Sequence, residues 1–375
     1  MFKHQDELHK LTENNSLHEK LIATHKSISE VFPFILRVAI GLYDADTSII
    51  KTFLHSSGDD NPLEHYQIAL DEAPSLKEIV DKRMPRVIND LDYFQSSQQE
   101  HSKRILKQGY AASYTMPIYN EGIFIGFLFF NSDTKDVFTE NVLRQLDIYG
   151  HMISLLVINE LNSVNTLTAA IKTTGNLTHL RDPETGSHLD RMSRYSRLIA
   201  NALGKTHNLN DSYIEHIFMF APLHDIGKIG IPDKVLLKPG SLNEDETKIM
   251  QTHATKGREM IDDLLKNFGL LNFEHVKVLK NIAEHHHEAI NGTGYPKGIK
   301  GTEIPLEARI VAVADVFDAL TSKRSYKEAW SNEEAIETLK KLADETLDKD
   351  CVNALLNNMG QVIEIQKQFK EDDYG

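Results

Sequence analysis

A proline-free stretch of apolar and polar residues, 138–181, constrains this chain more than any other feature. Thr139 suits the N-cap of a helix, and no proline follows before Pro183. The stretch therefore predicts one helix of about 40 residues, on the order of 60 Å long at about 1.5 Å per residue. Its apolar residues fall on more than one face, and a helix of that kind usually has a partner. We expect it to connect two domains and to pair in parallel with a second copy, giving a homodimer.

The first half of the chain alternates between strand-like and helical patterns. A polar segment up to about residue 31, with Leu and Ile at helical spacing, predicts an entry helix. Runs rich in β-forming residues predict five strands, at 35–43, 48–55, 66–70, 113–119 and 123–130. Asn120-Glu121-Gly122 between the last two indicates a hairpin. Residues 75–83 and 99–107 are predicted to be helical.

Residues 20–160 resemble a GAF sensor domain. The resemblance depends on Met116-Pro117-Ile118-Tyr119, on Gly126-Phe127-Leu128 and on the Phe138-Thr139 entry to the long helix. It implies an N-terminal GAF-like α/β domain with flanking helices over residues 1–160, and a connecting helix over 138–181 that overlaps its end. GAF domains bind cyclic nucleotides, chromophores, haem or metals, and no residue here selects one. A dimerisation domain without a ligand is an equal alternative.

Composition excludes several classes of partner. The chain has 375 residues, 41% of them hydrophobic and 26% charged, as in a soluble globular protein. Its formal net charge of -14 argues against binding to duplex nucleic acid or to an anionic membrane. Cys351 is the only cysteine, so we expect no intrachain disulfide, no thiolate metal site and a reducing cytoplasmic location. The longest apolar run, 122–130, is too short to span a membrane.

After residue 160 the strand pattern disappears, and polar metal-ligand types recur among predicted helices. His224-Asp225 offers an imidazole and a carboxylate side by side, and a second oxygen of Asp225 can bridge to another ion. Glu184 and His188 lie four residues apart after Pro183, on one face of a helix. His253 lies in the middle of another predicted helix. Taken singly, each of these is more commonly a structural or surface residue.

Two later segments complete the candidate set. Three consecutive histidines, 285–287, end a helix and point in three directions, so they cannot all bind one ion. Two of them, His286 and His287, could serve neighbouring ions. Asp315 lies in the apolar run 310–320 and is predicted to be buried, which is costly for a carboxylate without a cation. The adjacent His285 is not expected to be a ligand, and Asp318 is expected to cap or hydrogen-bond locally.

Together these segments supply five imidazoles and three carboxylates. Eight ligands exceed what one ion takes, so we predict two or three divalent ions that share Asp225. The predicted metal ligands are Glu184, His188, His224, Asp225, His253, His286, His287 and Asp315.

At this point the second half resembles the HD-GYP family of metal phosphohydrolases. The resemblance covers residues 165–365 and depends on His224-Asp225 with Gly227-Lys228, on His286-His287-Glu288 and on Gly294-Tyr295-Pro296. It implies an all-α catalytic domain over residues 165–375, giving an α+β chain overall. It also implies an enzyme that hydrolyses cyclic di-GMP to pGpG or GMP with two or three metal ions, often iron or manganese. A Glu at position 184 implies room for the third ion.

The resemblance also implies roles around the metals. Asp225 and Lys228 are the expected catalytic residues, with Lys228 stabilising a phosphate oxygen or the leaving group. Expected substrate contacts come from Lys228, Gly294, Tyr295, Arg324 and Lys327. The usual Arg-Pro-Tyr of the family is Arg324-Ser325-Tyr326 here, which keeps the cation and the aromatic ring. Diguanylate cyclases of the GGDEF class are implied as possible partners.

Two alternatives stay open from the sequence. One is the same chemistry on another cyclic dinucleotide, such as 3′3′-cGAMP. The other is a receptor and interaction protein that binds cyclic di-GMP or a partner protein and turns over slowly or not at all.

Overall fold

The computed structural model of the chain describes residues 6–13, 15–57, 63, 65–94, 107, 109–179, 186–267, 275–322, 329–343 and 345–370. The chain divides into two compact units, Met1–Asn162 and Ser163–Gly375. The fold class predicted from the sequence, an α/β first half and an all-α second half, is confirmed.

The first unit is built on a six-stranded antiparallel sheet. Its strand order is β3-β2-β1-β6-β5-β4. The strands are β1 (Ile35–Asp44), β2 (Ile49–Ser56), β3 (Gln67–Ala69), β4 (Arg86–Ile88), β5 (Ala112–Asn120) and β6 (Ile123–Ser132). Five of these match the predicted strands, whereas β4 was not predicted. The predicted helix at 99–107 lies almost entirely outside the described residues.

The β5–β6 hairpin turns where the sequence indicates. Asn120 pairs with Ile123, and the two residues between them have positive φ angles, 49° at Glu121 and 83° at Gly122. Positive φ at both central residues defines the type I′ turn, whose twist matches that of the flanking strands.

Two short helices accompany the sheet. In α1 (Leu17–Val31), Ser16 and Glu19 form a reciprocal capping box that satisfies two main-chain N–H groups at the start of the helix. Leu21 and Ile28 of α1 are buried. The second helix, α2 (Pro74–Lys82), begins with proline at its first position and buries Leu76 and Ile79.

The predicted long helix is present as α3 (Glu140–His179), which is continuous over 40 residues. It buries Leu146, Ile153 and Val157, whereas Ile148 and Leu155 are 70% and 65% exposed. In the part of the chain that the structure describes, no helix combines the length and the apolar character that crossing a membrane requires.

The second unit contains helices joined by turns and loops, and no β-strand is found among its described residues. Its helices are α4 (Gly186–His207), α5 (Asp211–Phe220), α6 (Asp233–Leu236), α7 (Glu244–Asn267), α8 (Val276–His285), α9 (Leu306–Thr321), α10 (Asn332–Leu342), α11 (Lys349–Leu356) and α12 (Met359–Gln368). Tyr195, Phe220 and Phe317 are fully buried at the centre of one continuous apolar core. Helix α9 buries Ile310 through Ala314 without interruption, as the apolar run predicts.

Candidate metal centre

His224 and Asp225 lie between two short 3₁₀ turns, Ala221–Leu223 and Ile226–Gly230. The second turn lies directly against α7. A Cβ atom added to Gly227 would lie 1.9 Å from the carbonyl oxygen of His253 and 2.5 Å from the main-chain nitrogen of Gly257. Only glycine permits this approach, which brings the Asp225 segment alongside His253.

Seven of the eight predicted ligands lie in two clusters. In each cluster the candidate ligand atoms all lie within 4.8 Å of one another. The first cluster is Asp225, His253, His286 and His287, and the second is His188, His224 and Asp315. The eighth predicted ligand, Glu184, lies outside the described residues.

Asp225 stands between the two clusters. Its Oδ1 atom lies 3.1 Å from Nε2 of His253 and 3.6 Å from Nε2 of His286. Its Oδ2 atom lies 3.2 Å from Nε2 of His224, which belongs to the second cluster. The two oxygens of one carboxylate therefore face different clusters. The bridging role of Asp225 stays a prediction.

Three of the imidazoles are oriented by their own helical turns. Nδ1 of His224, of His253 and of His286 each donates to the main-chain carbonyl oxygen three or four residues earlier, at 2.9, 2.8 and 2.9 Å. Because a carbonyl oxygen can only accept, Nδ1 carries the proton and Nε2 keeps its lone pair. A histidine in this tautomer is ready to bind a metal through Nε2.

His188 is oriented differently, by a buried carboxylate. Its Nδ1 atom donates to Oδ2 of Asp318 at 2.7 Å, and Arg191 donates to both oxygens of Asp318 at 2.6 and 3.0 Å. Burial raises the pKa of Asp318, but His188 and Arg191 hold it below its usual value. The local bond expected for Asp318 exists, from Ser322, but the contacts with His188 and Arg191 were missed.

Burial within α9 differs from the expectation. Asp318 is fully buried, whereas Asp315, predicted to be buried, is only partly so. Periodicity places the two carboxylates on neighbouring faces of one apolar helix and does not rank their burial. Asp315, which is partly exposed, belongs to the second cluster.

The donor atoms fit divalent cations. Nε2 of His253, Nε2 of His286 and Oδ1 of Asp225 are buried, and none has a hydrogen-bond partner among the described residues. These atoms are acceptors that face one another, an arrangement that a cation between them would stabilise. The set contains nitrogen and oxygen but no sulfur, which suits first-row divalent metals.

The charge states also fit metal binding. Burial is the main cause that lowers the pKa of His286 and of His287, so both are neutral near pH 7. Burial raises the pKa of Asp225, but Lys228 and His224 oppose it and hold that pKa well below its usual range. Neutral imidazoles and an ionised carboxylate are the forms that bind metals.

Lys228, the predicted catalytic cation, lies beside the bridging carboxylate. Its Nζ atom is 2.8 Å from Oδ2 of Asp225, and its side chain is 21% exposed. The ammonium group therefore lies at the solvent side of the cluster, where an anionic ligand can approach it.

The Gly294-Tyr295 loop packs on the first cluster. A Cβ atom at Gly294 would lie 2.2 Å from the nitrogen of Ala289 and 2.5 Å from the carbonyl oxygen of His287. The main chain of Tyr295 donates to that same carbonyl, and its ring centroid lies 4.7 Å from that of His287. The structure therefore brings these two predicted substrate contacts to the metal ligands, whereas Arg324 and Lys327 lie outside the described residues.

His285 belongs to neither of the two clusters found among the described residues. Its Nε2 atom lies 3.4 Å from Glu284 and its Nδ1 atom 3.8 Å from Glu288. Glu288 also accepts a hydrogen bond from the main chain of Lys297. These contacts tie the end of α8 to the loop that carries Tyr295.

Known proteins are similar in sequence to the second half of the chain. Residues 181–351 match the HD domain family. The cyclic di-GMP phosphodiesterase response regulator RpfG of Xanthomonas campestris pv. campestris is 47% identical over 189 residues, which cover 50% of this chain and 47% of that protein. The 3′3′-cGAMP-specific phosphodiesterase 2 of Vibrio cholerae is 34% identical over 259 residues, covering 65% of this chain and 48% of that protein.

A third relative, the cyclic di-GMP phosphodiesterase of Thermotoga maritima, is 38% identical over 200 residues, and the match covers 50% of that protein. The chain thus spans about half the length of the curated relatives it matches. Among solved structures, the GAF domain of an Acinetobacter phosphoenolpyruvate-protein phosphotransferase matches 42% of this chain and 92% of its own, with 13% identity and a TM-score of 0.33. The helical half of this chain, with its clustered histidines and aspartates, is therefore similar to the HD domain family over residues 181–351.

Proposed function

We propose that the chain is a metal-dependent phosphodiesterase that hydrolyses cyclic di-GMP to pGpG, to GMP or to both. The observation that carries the proposal is Asp225, whose two oxygens face separate clusters of imidazoles. The names of the relatives from Xanthomonas campestris and Thermotoga maritima support this substrate.

We propose iron or manganese as the metal, with two ions per chain and a third if Glu184 joins the set. The support is the donor chemistry, which is imidazole and carboxylate without thiolate. Divalent ions held there would activate water at neutral pH and offset the charge that develops on the phosphate.

The residues of the chain have separate roles in the proposed reaction. Asp225 holds the two clusters at a common carboxylate, and Lys228 offers its ammonium group to a phosphate oxygen or to the leaving 3′ oxygen. Tyr295 packs on His287 and forms a wall of the site. Hydrolysis breaks one P–O3′ bond, since water adds its oxygen to phosphorus and the 3′ oxygen takes up a proton. The ring opens to linear pGpG, and a second hydrolysis would give GMP.

Metal content and product analysis test the proposal together. Protein purified without oxygen is analysed for metals and then incubated with cyclic di-GMP, and the products are separated by chromatography. We expect two or three iron or manganese ions per chain and formation of pGpG or GMP. Asp225→Ala should abolish both metal loading and turnover. Turnover retained in that variant would contradict the assignment.

A second candidate substrate is 3′3′-cGAMP. It is favoured by the Vibrio cholerae relative, whose name specifies that dinucleotide and whose match extends over more of this chain than that of RpfG. Rates measured side by side on the two dinucleotides decide between them. Full metal loading with both ligands uncut would instead favour the receptor alternative.

We also propose that the chain forms a homodimer through α3 and that the first unit regulates the second. Ile148 and Leu155 support dimerisation, since they are seven residues apart on one helix and mostly exposed. The expected cytoplasmic location and the GGDEF partners stay predictions that follow from the sequence.

A further inference from the structure

The first unit contains a partly open cavity of about 100 Å³. Residues of four neighbouring strands, β2, β1, β6 and β5, contribute to its wall, and so do β4 and the start of α2. The wall is mainly apolar, with Ile40, Ile50, Ile68, Leu76 and Phe129 among its residues. An apolar wall of this kind favours a ligand with an apolar body.

Three cationic side chains interrupt this apolar wall. They are Arg37, Lys51 and Arg86, and no acidic residue is among the described residues that line the cavity. Arg37 donates to Oδ1 of Asn131 at 3.1 Å, and Lys51 lies 3.6 Å from Asp44. The concentration of cations contrasts with the formal net charge of -14 on the whole chain.

Arg86 is the cation whose surroundings most clearly lack a counter-charge. It donates to the carbonyl oxygen of Ser75 at 2.9 Å and to Oγ1 of Thr115 at 3.4 Å, both of which are neutral. Its Nε atom is buried without a hydrogen-bond partner in the described part of the chain. A guanidinium has five N–H groups, so three of them remain beyond these two bonds.

Burial also disfavours the charged form of the Arg86 guanidinium. It lowers the pKa of the guanidinium to about 10, although Glu78 opposes the shift. A buried cation that meets only neutral acceptors is destabilised by the loss of its hydration. An anion placed beside it would offset that cost.

We propose that this cavity binds a compact organic carboxylate, with its anionic group on Arg86 and its short apolar body against Ile50 and Phe129. The planar guanidinium matches a carboxylate through two parallel hydrogen bonds. The apolar wall favours an organic body over a fully polar anion such as phosphate.

The size of the cavity limits the ligand. An apolar cavity of roughly 150 Å³ holds one benzene molecule. This cavity therefore suits about four to six heavy atoms, as in butyrate. The inference concerns the first unit and does not depend on the proposed phosphodiesterase activity.

Isothermal titration calorimetry on the full chain tests the proposal. The protein is first treated with a chelator, because metal ions in the second unit could bind carboxylates themselves. Acetate, butyrate and hexanoate are compared with neutral butyramide, cationic butylamine and inorganic phosphate. We expect one site per chain that takes butyrate at least tenfold more tightly than butyramide, butylamine or phosphate. Failure of all three carboxylates to bind, or equal binding of butyrate and any of those three probes, would overturn the proposal.

Two variants locate the site. Arg86→Gln should weaken butyrate binding tenfold or more, since it removes a charge-assisted contact. Arg144→Gln makes the same change on the exposed surface of α3 and should leave binding unchanged. Butyrate bound equally well by Arg86→Gln would overturn the proposed location. If Arg86→Gln does not fold, the comparison of butyrate with butyramide on the unaltered chain still decides the charge requirement.

Discussion

Nδ1 of His188 donates a hydrogen bond of 2.7 Å to Oδ2 of Asp318, which lies 130 residues further along the chain and is fully buried. Arg191 donates to the same carboxylate, so one buried anion orients a candidate metal ligand and neutralises a buried cation. This pairing connects α4 to α9 at the second cluster.

Replacement of Asp318 by Asn should damage both stability and metal binding. The amide has no charge to offset Arg191, and breaking a buried ion pair typically costs about 3–5 kcal/mol. Loss of a partner that orients a ligand typically lowers metal affinity about 10- to 100-fold. Urea unfolding and elemental analysis measure the two effects. Asp263→Asn, on the exposed face of α7, should change neither. Unaltered unfolding and metal content in Asp318→Asn would contradict the assigned role.

Replacement of Lys228 by Met should separate chemistry from metal loading. The ammonium group lies beside Asp225 but is not a ligand, so the metal content should stay the same. Loss of one group that stabilises developing charge typically lowers kcat about 10²- to 10³-fold. Steady-state rates on cyclic di-GMP, with metal analysis of the same sample, measure this. Lys248→Met changes an exposed lysine of α7 and serves as the control. A normal kcat in Lys228→Met would remove this residue from the mechanism.

Replacement of Gly294 by Ala should disturb the first cluster. The added methyl group would lie 2.2 Å from the main chain of Ala289 and 2.5 Å from that of His287, and main-chain atoms cannot move away cheaply. We expect lower metal content and loss of turnover. In Gly360→Ala the new methyl group meets no atom within 4 Å, so that variant should behave as the parent. Equal activity in the two variants would show that the loop tolerates displacement.

Replacement of Ile148 and Leu155 together by Glu should yield a monomer. Both side chains are mostly exposed on one face of α3, and burial of two charges in a paired helix is unfavourable. Sedimentation velocity at micromolar concentration measures the change. Ile123→Glu, at an exposed position in the β5–β6 hairpin, is the matched control and should leave the oligomeric state as in the parent. A parent chain that is itself monomeric would refute dimerisation through α3.

Replacement of Asp348 by Ala should lower stability in a pH-dependent manner. The carboxylate caps α11 through the N–H groups of Asp350 and Cys351 and pairs with Arg309. Loss of a cap typically costs about 1–2 kcal/mol. Burial raises the pKa of Asp348, but Cys351 and Arg309 outweigh it, so the folded-state pKa is below its usual value.

The sign of that shift sets the pH window. A lowered folded-state pKa stabilises the protein above the unfolded value of about 3.9, and the contribution is lost as the pH falls through the folded value. The difference in unfolding free energy between parent and Asp348→Ala should therefore be constant near pH 7 and should shrink below about pH 4. Urea unfolding at pH 7, 4 and 3 measures it. A difference that grows as the pH falls would contradict the assignment.

Part of the two clusters could be predicted from the sequence because four of their residues lie in contiguous pairs. His224 with Asp225, and His286 with His287, are contiguous, and their surroundings predict helix ends. Asp318 was not recognised because its role depends on Arg191 and His188, more than a hundred residues away. Periodicity shows that a carboxylate lies in an apolar helix but does not show which partner lies opposite.

The cavity of the first unit could not be predicted from the sequence, for a related reason. Its cations come from three different strands, and Arg86 lies on β4, which has only three residues. A strand that short gives no alternation to detect. No local pattern therefore connected Arg86 with Arg37 and Lys51 before the sheet order was known.

The imidazoles of His224, His253 and His286 each donate to a carbonyl of their own helical turn, so the main chain holds the orientation of each ring through its Nδ1 atom. Evolution can therefore vary the residues around the site while the Nε2 atoms of these three imidazoles keep their directions. His188 is the exception, because the orientation of its ring depends on the carboxylate of Asp318. A substitution at either residue, one on α4 and the other on α9, therefore requires a matching substitution at the other.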